Sequence, residues 1–432
     1  MVILSCTAEN RGPPSAGTST RRSPARPTRG GVLRFGILGA PATLDPYSPR
    51  ASDLTRALVR PIYPSLYRFD ANGHVRAELA RSLHRRRSGI EIRLRAARWS
   101  DGTPLTARDV VASHRRAGPP SGFTAFRFAR AAGPLRIRFG GGVRRATRAL
   151  ATAAYVLPRG RAAGVPRSSG GPFRIAGVRQ GLQIQYVPNP RWPGPAPRLN
   201  GVTVQFVEDV RTMLELLERG RLDAAAPSGT VNLDDISIDG VEVEGRLGWE
   251  SVQLQLTSSD LDRAERASLV ARVERDLMEE SFVRDDGRVA RTVAPAPGAA
   301  GASGPWRKPS RGRLPLPTVE VAAPEGDELL ALVQRAAYTQ LEASGVDTEL
   351  VTVDAATFYG PWSVRSPVDV MLRRVLRAPA FRRPNEGLSR MPRYPLFHVE
   401  TYAAFRRGVH GVAPVPLIDG PLAEMERWWI EG

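Results

Sequence analysis

Residues Thr318–Asp354 read TVEVAAPEGDELLALVQRAAYTQLEASGVDTELVTVD, and this stretch decides the fold class. Thr318–Ala322 reads as a short buried strand. Glu325–Ala343 places Leu329, Leu332, Val333 and Ala336 at helical spacing, so one apolar face is expected on a helix. Gly345 stands where a helix ends in the left-handed conformation. Val346–Asp354 then reads as a second strand. A strand, a helix and a strand in this order make a parallel pair with a right-handed crossover.

Outward from this unit, Val368–Val375 reads as a further strand. Upstream, Val252–Leu256 alternates as a strand does, and Leu261–Glu279 reads as a charged helix with Val270, Val273 and Leu277 facing inward. Pro295–Pro317 is rich in Pro, Gly, Ala and Ser and reads as a loop. The first half of the chain is built differently. Ile90–Arg95 and Leu135–Phe139 alternate strictly, which predicts half-buried strands. Phe173–Val178 and Leu182–Val187 flank Arg179-Gln180-Gly181 and read as a hairpin. Val202, Val204 and Phe206 share one face of a strand. Asp209 then caps a helix carrying Val210, Met213, Leu214 and Leu217, which Gly220 ends. Hairpins early and a strand–helix–strand unit late predict an α/β chain of more than one lobe.

The 432 residues are enough for two or three domains. One cysteine, Cys6, rules out an intramolecular disulfide and any multi-Cys metal centre. No apolar run reaches the 18 or so residues of a membrane helix, which excludes a multi-spanning permease. The net charge is +19, and of 62 basic residues only Lys308 is a lysine. The charge permits a polyanion partner. The arginines nevertheless gather into no tract longer than Arg85-Arg86-Arg87, and no nucleic-acid-binding motif accompanies them. The reading adopted is therefore charge spread over solvated faces. Lys308 precedes Pro309, so there is no P-loop. Gly140-Gly141-Gly142 leads into no dinucleotide fingerprint. The five His make no His-x-x-x-His or His-x-His pair, and no Gly-x-Ser-x-Gly elbow occurs. A scattered triad stays open. No enzyme activity, metal, cofactor or nucleic-acid partner is expected.

Residues 1–31 are rich in Ser, Thr, Pro, Gly and Arg and read as a disordered N-terminal tether. Met1-Val2-Ile3-Leu4-Ser5-Cys6 resembles the tail of a bacterial lipoprotein signal, with Leu4 where a smaller residue is usual. Cys6 is the expected lipidation site, with the leader encoded upstream of Met1. An incidental thiol is the other reading.

Several blocks resemble the family 5 extracellular solute-binding proteins, the peptide- and nickel-type receptors of ABC importers. They are Thr43-Leu44-Asp45-Pro46, Ile62 through Asp70 with Gly73 and Glu78-Leu79-Ala80, and Trp99 through Val110. Gly171 through Ile175, Asn189-Pro190-Arg191-Trp192, Leu199-Asn200-Gly201-Val202 and Leu217 through Asp223 follow in order. Pro64 departs from the family's usual Glu, and Gly118–Pro166 is short. The resemblance implies a type II periplasmic-binding-protein-like fold: two α/β lobes with mixed sheets and a ligand cleft between them. Lobe one is expected over 32–257, with a shortened extra subdomain near 46–170 and a return over 396–432. Lobe two is expected over 258–395, with hinges near Thr257 and Pro395. The resemblance further implies an extracytoplasmic, lipid-anchored monomer that captures a peptide-like or anionic solute for an ABC permease. A surface interaction protein contacting anionic wall polymer or lipid is the alternative.

On that fold, Tyr47, Tyr359, Trp362 and Arg374 fall on expected cleft loops and strand ends, although aromatic residues there also suit a core. Peptide receptors of the family hold the ligand's amino terminus with a carboxylate after the strand that matches Val368–Val375. Here the stretch reads Arg373-Arg374-Val375-Leu376-Arg377. Alternation puts Arg373 and Arg374 on opposite faces, so at most one of them reaches the cleft; Arg374, nearer the strand's end, is expected to receive a carboxylate or phosphate, and the alternative is that Arg373, Arg374 and Arg377 are all solvated. Trp99, Asp101 and Trp428-Trp429 read as structural.

Overall fold

The computed structural model describes residues 26–431, apart from 49, 71–72, 118–128, 141–145, 152–154, 160–164, 228–236, 258–260, 275–276, 279–281, 283–317, 326, 355–356, 359–361, 363–365, 377–392 and 416–419. One mixed sheet of ten strands runs through the molecule. Its strands are β1 (Val32–Leu38), β10 (Phe173–Arg179), β11 (Gln183–Pro188), β12 (Gly201–Val207), β13 (Ala224–Ala226), β14 (Val241–Leu256), β15 (Val319–Pro324), β16 (Thr348–Val353), β17 (Val370–Leu376) and β18 (Arg393–Arg406). Their order is β10-β11-β12-β1-β13-β18-β14-β17-β15-β16. A second, antiparallel sheet has the order β4-β5-β9-β8, with β4 (Ala80–Arg86), β5 (Gly89–Leu94), β8 (Ala129–Ala131) and β9 (Arg136–Gly140). Three two-stranded pairs complete the set: β2 (Tyr67–Phe69) with β3 (Val75–Ala77), β6 (Ala97–Arg98) with β7 (Pro104–Leu105), and β19 (Val409–His410) with β20 (Trp429–Ile430).

The strand–helix–strand unit forms as expected: β15 and β16 pair in parallel, and the Glu328–Ala343 helix joins them. Its buried face is turned from the predicted one. Leu329, Leu330, Val333, Ala337 and Leu341 are buried, whereas Leu332 is 45% exposed. Asp327 caps this helix by accepting from the Leu330 N–H at 3.1 Å, two residues later than the expected start. The hairpin is β10 with β11, and the Asp209-capped helix spans Val210–Glu218 with Met213 and Leu217 buried. Gly220, at φ +63°, ends it in the left-handed region that an L side chain avoids. Two other expectations hold in part: Val270 and Val273 are buried as predicted, and the Val252–Leu256 strand is present within β14. The expected Leu261–Glu279 helix forms over Arg263–Ala271, and Leu277 is 47% exposed. β14 starts at Val241 rather than Val252. The Pro295–Pro317 loop lies outside the described residues.

Burial alternates along the large sheet, because successive side chains leave a strand on opposite faces. At one end, Phe35, Val202, Val204, Ala224 and Ala403 join the largest core, while Val207, Ala225 and Ala404 join a cluster with Met213 and Leu217. Trp428 belongs to the largest core and stacks on Phe35 at 5.0 Å, as its structural reading required. At the other end, Val321, Val370 and Leu372 pack with Leu330, Val333 and Val270, while Ala322 and Met371 pack with Phe358. Two strands belong to both ends. In β14, Val241 and Val243 lie against the Met213 cluster, while Val252, Leu254 and Leu256 lie in the core with Leu330. In β18, Leu396, Phe397 and Val399 join that second core, while Ala403 and Phe405 join the first. β14 and β18 pair antiparallel from Val241↔Arg406 to Gln255↔Arg393, with register shifts between Leu247 and Ser251 and between Val252 and Gln253. The two cores thus share one sheet through a pair of long strands.

His114 sits in the first core, 9% exposed, with its ring edge-on to Phe139 at 5.2 Å and Nε2 without a hydrogen-bond partner. Burial pulls its pKa down from 6.5 to about 4. Above pH 6.5 the ring is neutral folded or unfolded and carries no penalty. As pH falls from 6.5 to about 4, the unfolded chain takes up a proton that the folded ring refuses. Stability should fall across this window by about 3 kcal/mol from this residue. Denaturant unfolding of wild type and His114→Leu over this range checks it: the variant should lose that part of the slope.

Candidate functional site

The seam between the two cores is charged. On the first-core side stands the Asp53–Val59 helix. Ser52 caps it: its hydroxyl accepts from the Thr55 N–H at 3.2 Å, and the Thr55 hydroxyl accepts from the Ser52 N–H at 3.2 Å. Thr55 also donates to the Thr43 carbonyl at 3.0 Å, which ties the Thr43–Pro46 loop to the helix. Asp45 in that loop accepts from the Tyr47 N–H at 3.0 Å and pairs with Arg116 at 2.5 Å. The helix start therefore holds Asp53 in place. Its carboxylate bonds the Arg56 guanidinium one turn on, yet its side chain remains 58% exposed.

On the second-core side, β14 and β17 pair so that Val252 opposes Arg374. Glu250, two residues before Val252, lies on the same face, and it takes Arg374 bidentately, Nε to Oε1 at 2.9 Å and Nη2 to Oε2 at 2.8 Å. Arg374 Nη1 also stands 3.6 Å from Asp327, the cap of the Glu328–Ala343 helix. The side chains of Arg374, Glu250 and Asp327 are 17–18% exposed. The two sides feel each other. Partial desolvation by the surrounding protein pushes the Asp53 carboxyl up, Arg56 pulls it back, the Glu250 charge pushes it up again, and Arg374 opposes. Five charged groups from both cores therefore face one another, three carboxylates (Asp53, Glu250, Asp327) against two guanidinium groups (Arg56, Arg374).

The residues expected from sequence fall as follows. Arg374 is in this cluster. It shares a face with Val370 and Leu372, and Arg373 leaves by the opposite face, where its guanidinium donates to Gln255 at 3.2 Å and lies 6.0 Å from the Phe358 ring centroid. Tyr47 is half-buried beside the first core. Its hydroxyl donates to the Tyr155 carbonyl at 2.5 Å, and the Arg116 guanidinium lies 5.8 Å from its ring centroid. Burial raises its phenol well above the ordinary range. Trp362 packs against the Phe358 and Met371 cluster. Tyr359, Cys6 and Arg377 lie outside the described residues. Trp99 is buried at 2%, and Asp101 accepts from Thr103 and Ser168, so both are structural as expected. Sequence reasoning missed Asp53, Glu250 and Asp327. The cap pattern Asp327-Glu328-Leu329-Leu330 was the available signal for one of them. Among the described residues, no group of three or more His, Cys, Asp or Glu is arranged to hold a metal ion, and no helix is long and apolar enough to cross a membrane.

Two α/β lobes sharing two crossing strands, with charged groups facing each other over the seam, define a two-lobed binding protein. Solved structures carry the same architecture. The oligopeptide-binding protein AppA from Bacillus subtilis, in complex with a nonapeptide, matches at TM-score 0.75 and 16% identity over 94% of this chain and 100% of its own. MoaA from A.tumefacien R10, in complex with mannopinic acid, matches at 0.75 and 16% over 94% and 100%. NikZ from Campylobacter jejuni, in complex with Ni(L-His), matches at 0.74 and 14% over 92% and 99%. At these identities they show the fold. No curated protein matches the sequence. A model of the middle region of bacterial extracellular solute-binding proteins, family 5, matches residues 75–310, more than half of the chain. The chain belongs to this family, whose members are the solute-binding components of ABC transporters.

The Arg374–Glu250 contact is testable by a double-mutant cycle on unfolding free energy with Arg374→Gln and Glu250→Gln. A partly buried bidentate pair should couple by about 1.5–3 kcal/mol. Coupling within error of zero would mean that the two side chains do not hold each other in solution.

Proposed function

We propose that this chain captures a small solute between its lobes outside the cytoplasm and delivers it to an ABC permease, with no chemistry of its own. The family match over residues 75–310 is the observation that carries this reading. The family is extracytoplasmic and works with ABC permeases. In this reading the lobes close by bending of β14 and β18 between their two sets of core residues, about 244–251 and 400–402, so the hinges lie within the strands and not at Thr257 and Pro395. The register shifts in β14 fall in or beside this span, where the ladder is already interrupted. The closed form is the one the permease engages.

The ligand-facing wall in this reading is the five-charge cluster, and Tyr47 and Trp362 are proposed as further contacts at its margins. Arg374 does not offer a free guanidinium, because Glu250 already holds it. A solute with an exposed carboxylate must compete with Glu250 for Arg374, while Asp53, exposed and pushed up, gains from any cationic group that arrives. The proposed solute therefore carries both signs, as an amino acid derivative or a short peptide does. Mass spectrometry of ligand released from purified protein identifies it. Calorimetry with that ligand should then show Arg374→Ala and Asp53→Asn each weakening binding by about tenfold or more, the loss of one charge-assisted bond. Tight binding indifferent to both substitutions would remove the cluster from the site.

The proposed anchor is a lipid on Cys6, joined to the folded chain by the following residues. Expressed from the full gene, wild type should sediment with membranes and Cys6→Ser should stay in the soluble fraction. Equal partition of the two would refute the anchor.

A further inference from the structure

The sheet β4-β5-β9-β8 has two unlike faces. Leu83, Ile90, Ile92, Ile137 and Phe139 point into or against the first core. The alternate positions point away from it. Register sets Ser82 against Arg93 and Arg93 against Arg136 in one row across the strands. It sets His84 against Glu91, Glu91 against Arg138 and Arg138 against Arg130 in the next. Arg86 stands at the open end of β4. Arg86, Arg93, Arg130, Arg136 and Arg138 are all exposed. Glu91 is the acid among these rows, and it is buried beneath two of them, accepting from Arg138 Nε at 2.7 Å and Arg86 Nη2 at 3.2 Å. One strand pair brings arginines together that lie some forty positions apart in sequence. The charge therefore gathers on a surface although it forms no run along the chain, and here the expectation of evenly spread charge gives way.

Like charges placed on neighbouring strands destabilise a sheet. A face that keeps five guanidinium groups over one carboxylate gains when a negative surface covers it. We infer that this face adsorbs to an anionic phospholipid bilayer. The shape favours a bilayer over other polyanions. Four strands about 4.8 Å apart spread the cations over a patch about 14 Å across, an array on a broad surface and not the line or groove that tracks a polymer strand. Among the described residues no Phe, Tyr or Trp stands in these rows to stack on a base, and their one imidazole, His84, is hydrogen-bonded to the Ser82 hydroxyl at 3.2 Å. Among the described residues no apolar side chain belongs to these two rows, so the contact they make is electrostatic and salt-sensitive. The face uses none of the seam residues, and the inference stands whatever the solute is and whether or not Cys6 carries lipid.

The test is sedimentation of the full chain with vesicles of phosphatidylcholine alone and of phosphatidylcholine mixed with phosphatidylglycerol. Wild type should bind the mixed vesicles and not the neutral ones, and raising salt should release it. Neutralising Arg93, Arg130 and Arg136 to Gln, which leaves the two arginines bonded to Glu91, should weaken binding about a hundredfold, or about fivefold per residue. Neutralising Arg211, Arg219 and Arg335 on other surfaces changes the net charge equally and should leave binding within about twofold, since distant charges are screened. If the triple variant does not fold, Arg93→Gln and Arg130→Gln singly read the same effect. Three results would overturn the inference: no preference for the anionic vesicles, equal losses in the two triple variants, or binding to a soluble polyanion with none to vesicles.

Discussion

Everything in this molecule hangs on the antiparallel pairing of β14 with β18. From Val241↔Arg406 to Gln255↔Arg393 the two strands run side by side, and each gives one end to each core. Backbone hydrogen bonds thus continue through the seam, although apolar packing divides there. A sheet can bend about such a seam more easily than either core can deform, because close-packed interiors resist change. In the proposed function, this geometry lets the lobes close on a solute by bending at the seam. It also explains why the charged groups gather where they do: the seam is where neither core can cover them.

The seam's electrostatics are set by local structure on each side. Helix capping fixes Asp53 and Asp327 at helix starts, and strand pairing fixes Glu250 beside Arg374. None of these placements needs a ligand. Among the described residues, the cluster sets three carboxylates against two guanidinium groups, on a chain with a net charge of +19. In the proposed reading, the unmatched carboxylate meets the cationic group of a solute that carries both signs.

Much of the fold was legible because it is local. The β15–helix–β16 unit, the β10–β11 hairpin and the Asp209 cap each declare themselves within about ten to thirty residues, through alternation, helical spacing and glycine. The opposite faces of Arg373 and Arg374 followed from parity alone. Other features were not legible, for physical reasons. Leu332 and Leu277 fit a helical stripe by spacing, but which side of a helix meets the sheet is decided by the sheet. The Val241–Glu244 alternation continues β14, but Gly245 and Gly248 interrupt the apolar pattern. The Arg374–Glu250 pair and the arginine rows of β4, β5, β8 and β9 join residues that are distant in the chain, and register between strands is absent from any local pattern. The bond from the Tyr47 hydroxyl to the Tyr155 carbonyl spans 108 positions and was likewise absent from any local pattern.

The central claim is that two lobes move about β14 and β18. The most direct measurement is the distance between spin labels on Arg50→Cys and Glu325→Cys, exposed residues close in sequence to Asp53 and Asp327, in a Cys6→Ser background. Adding the released ligand to protein freed of it should shorten the distance and narrow its distribution. A distribution unchanged by a ligand that calorimetry shows to bind tightly would contradict the account.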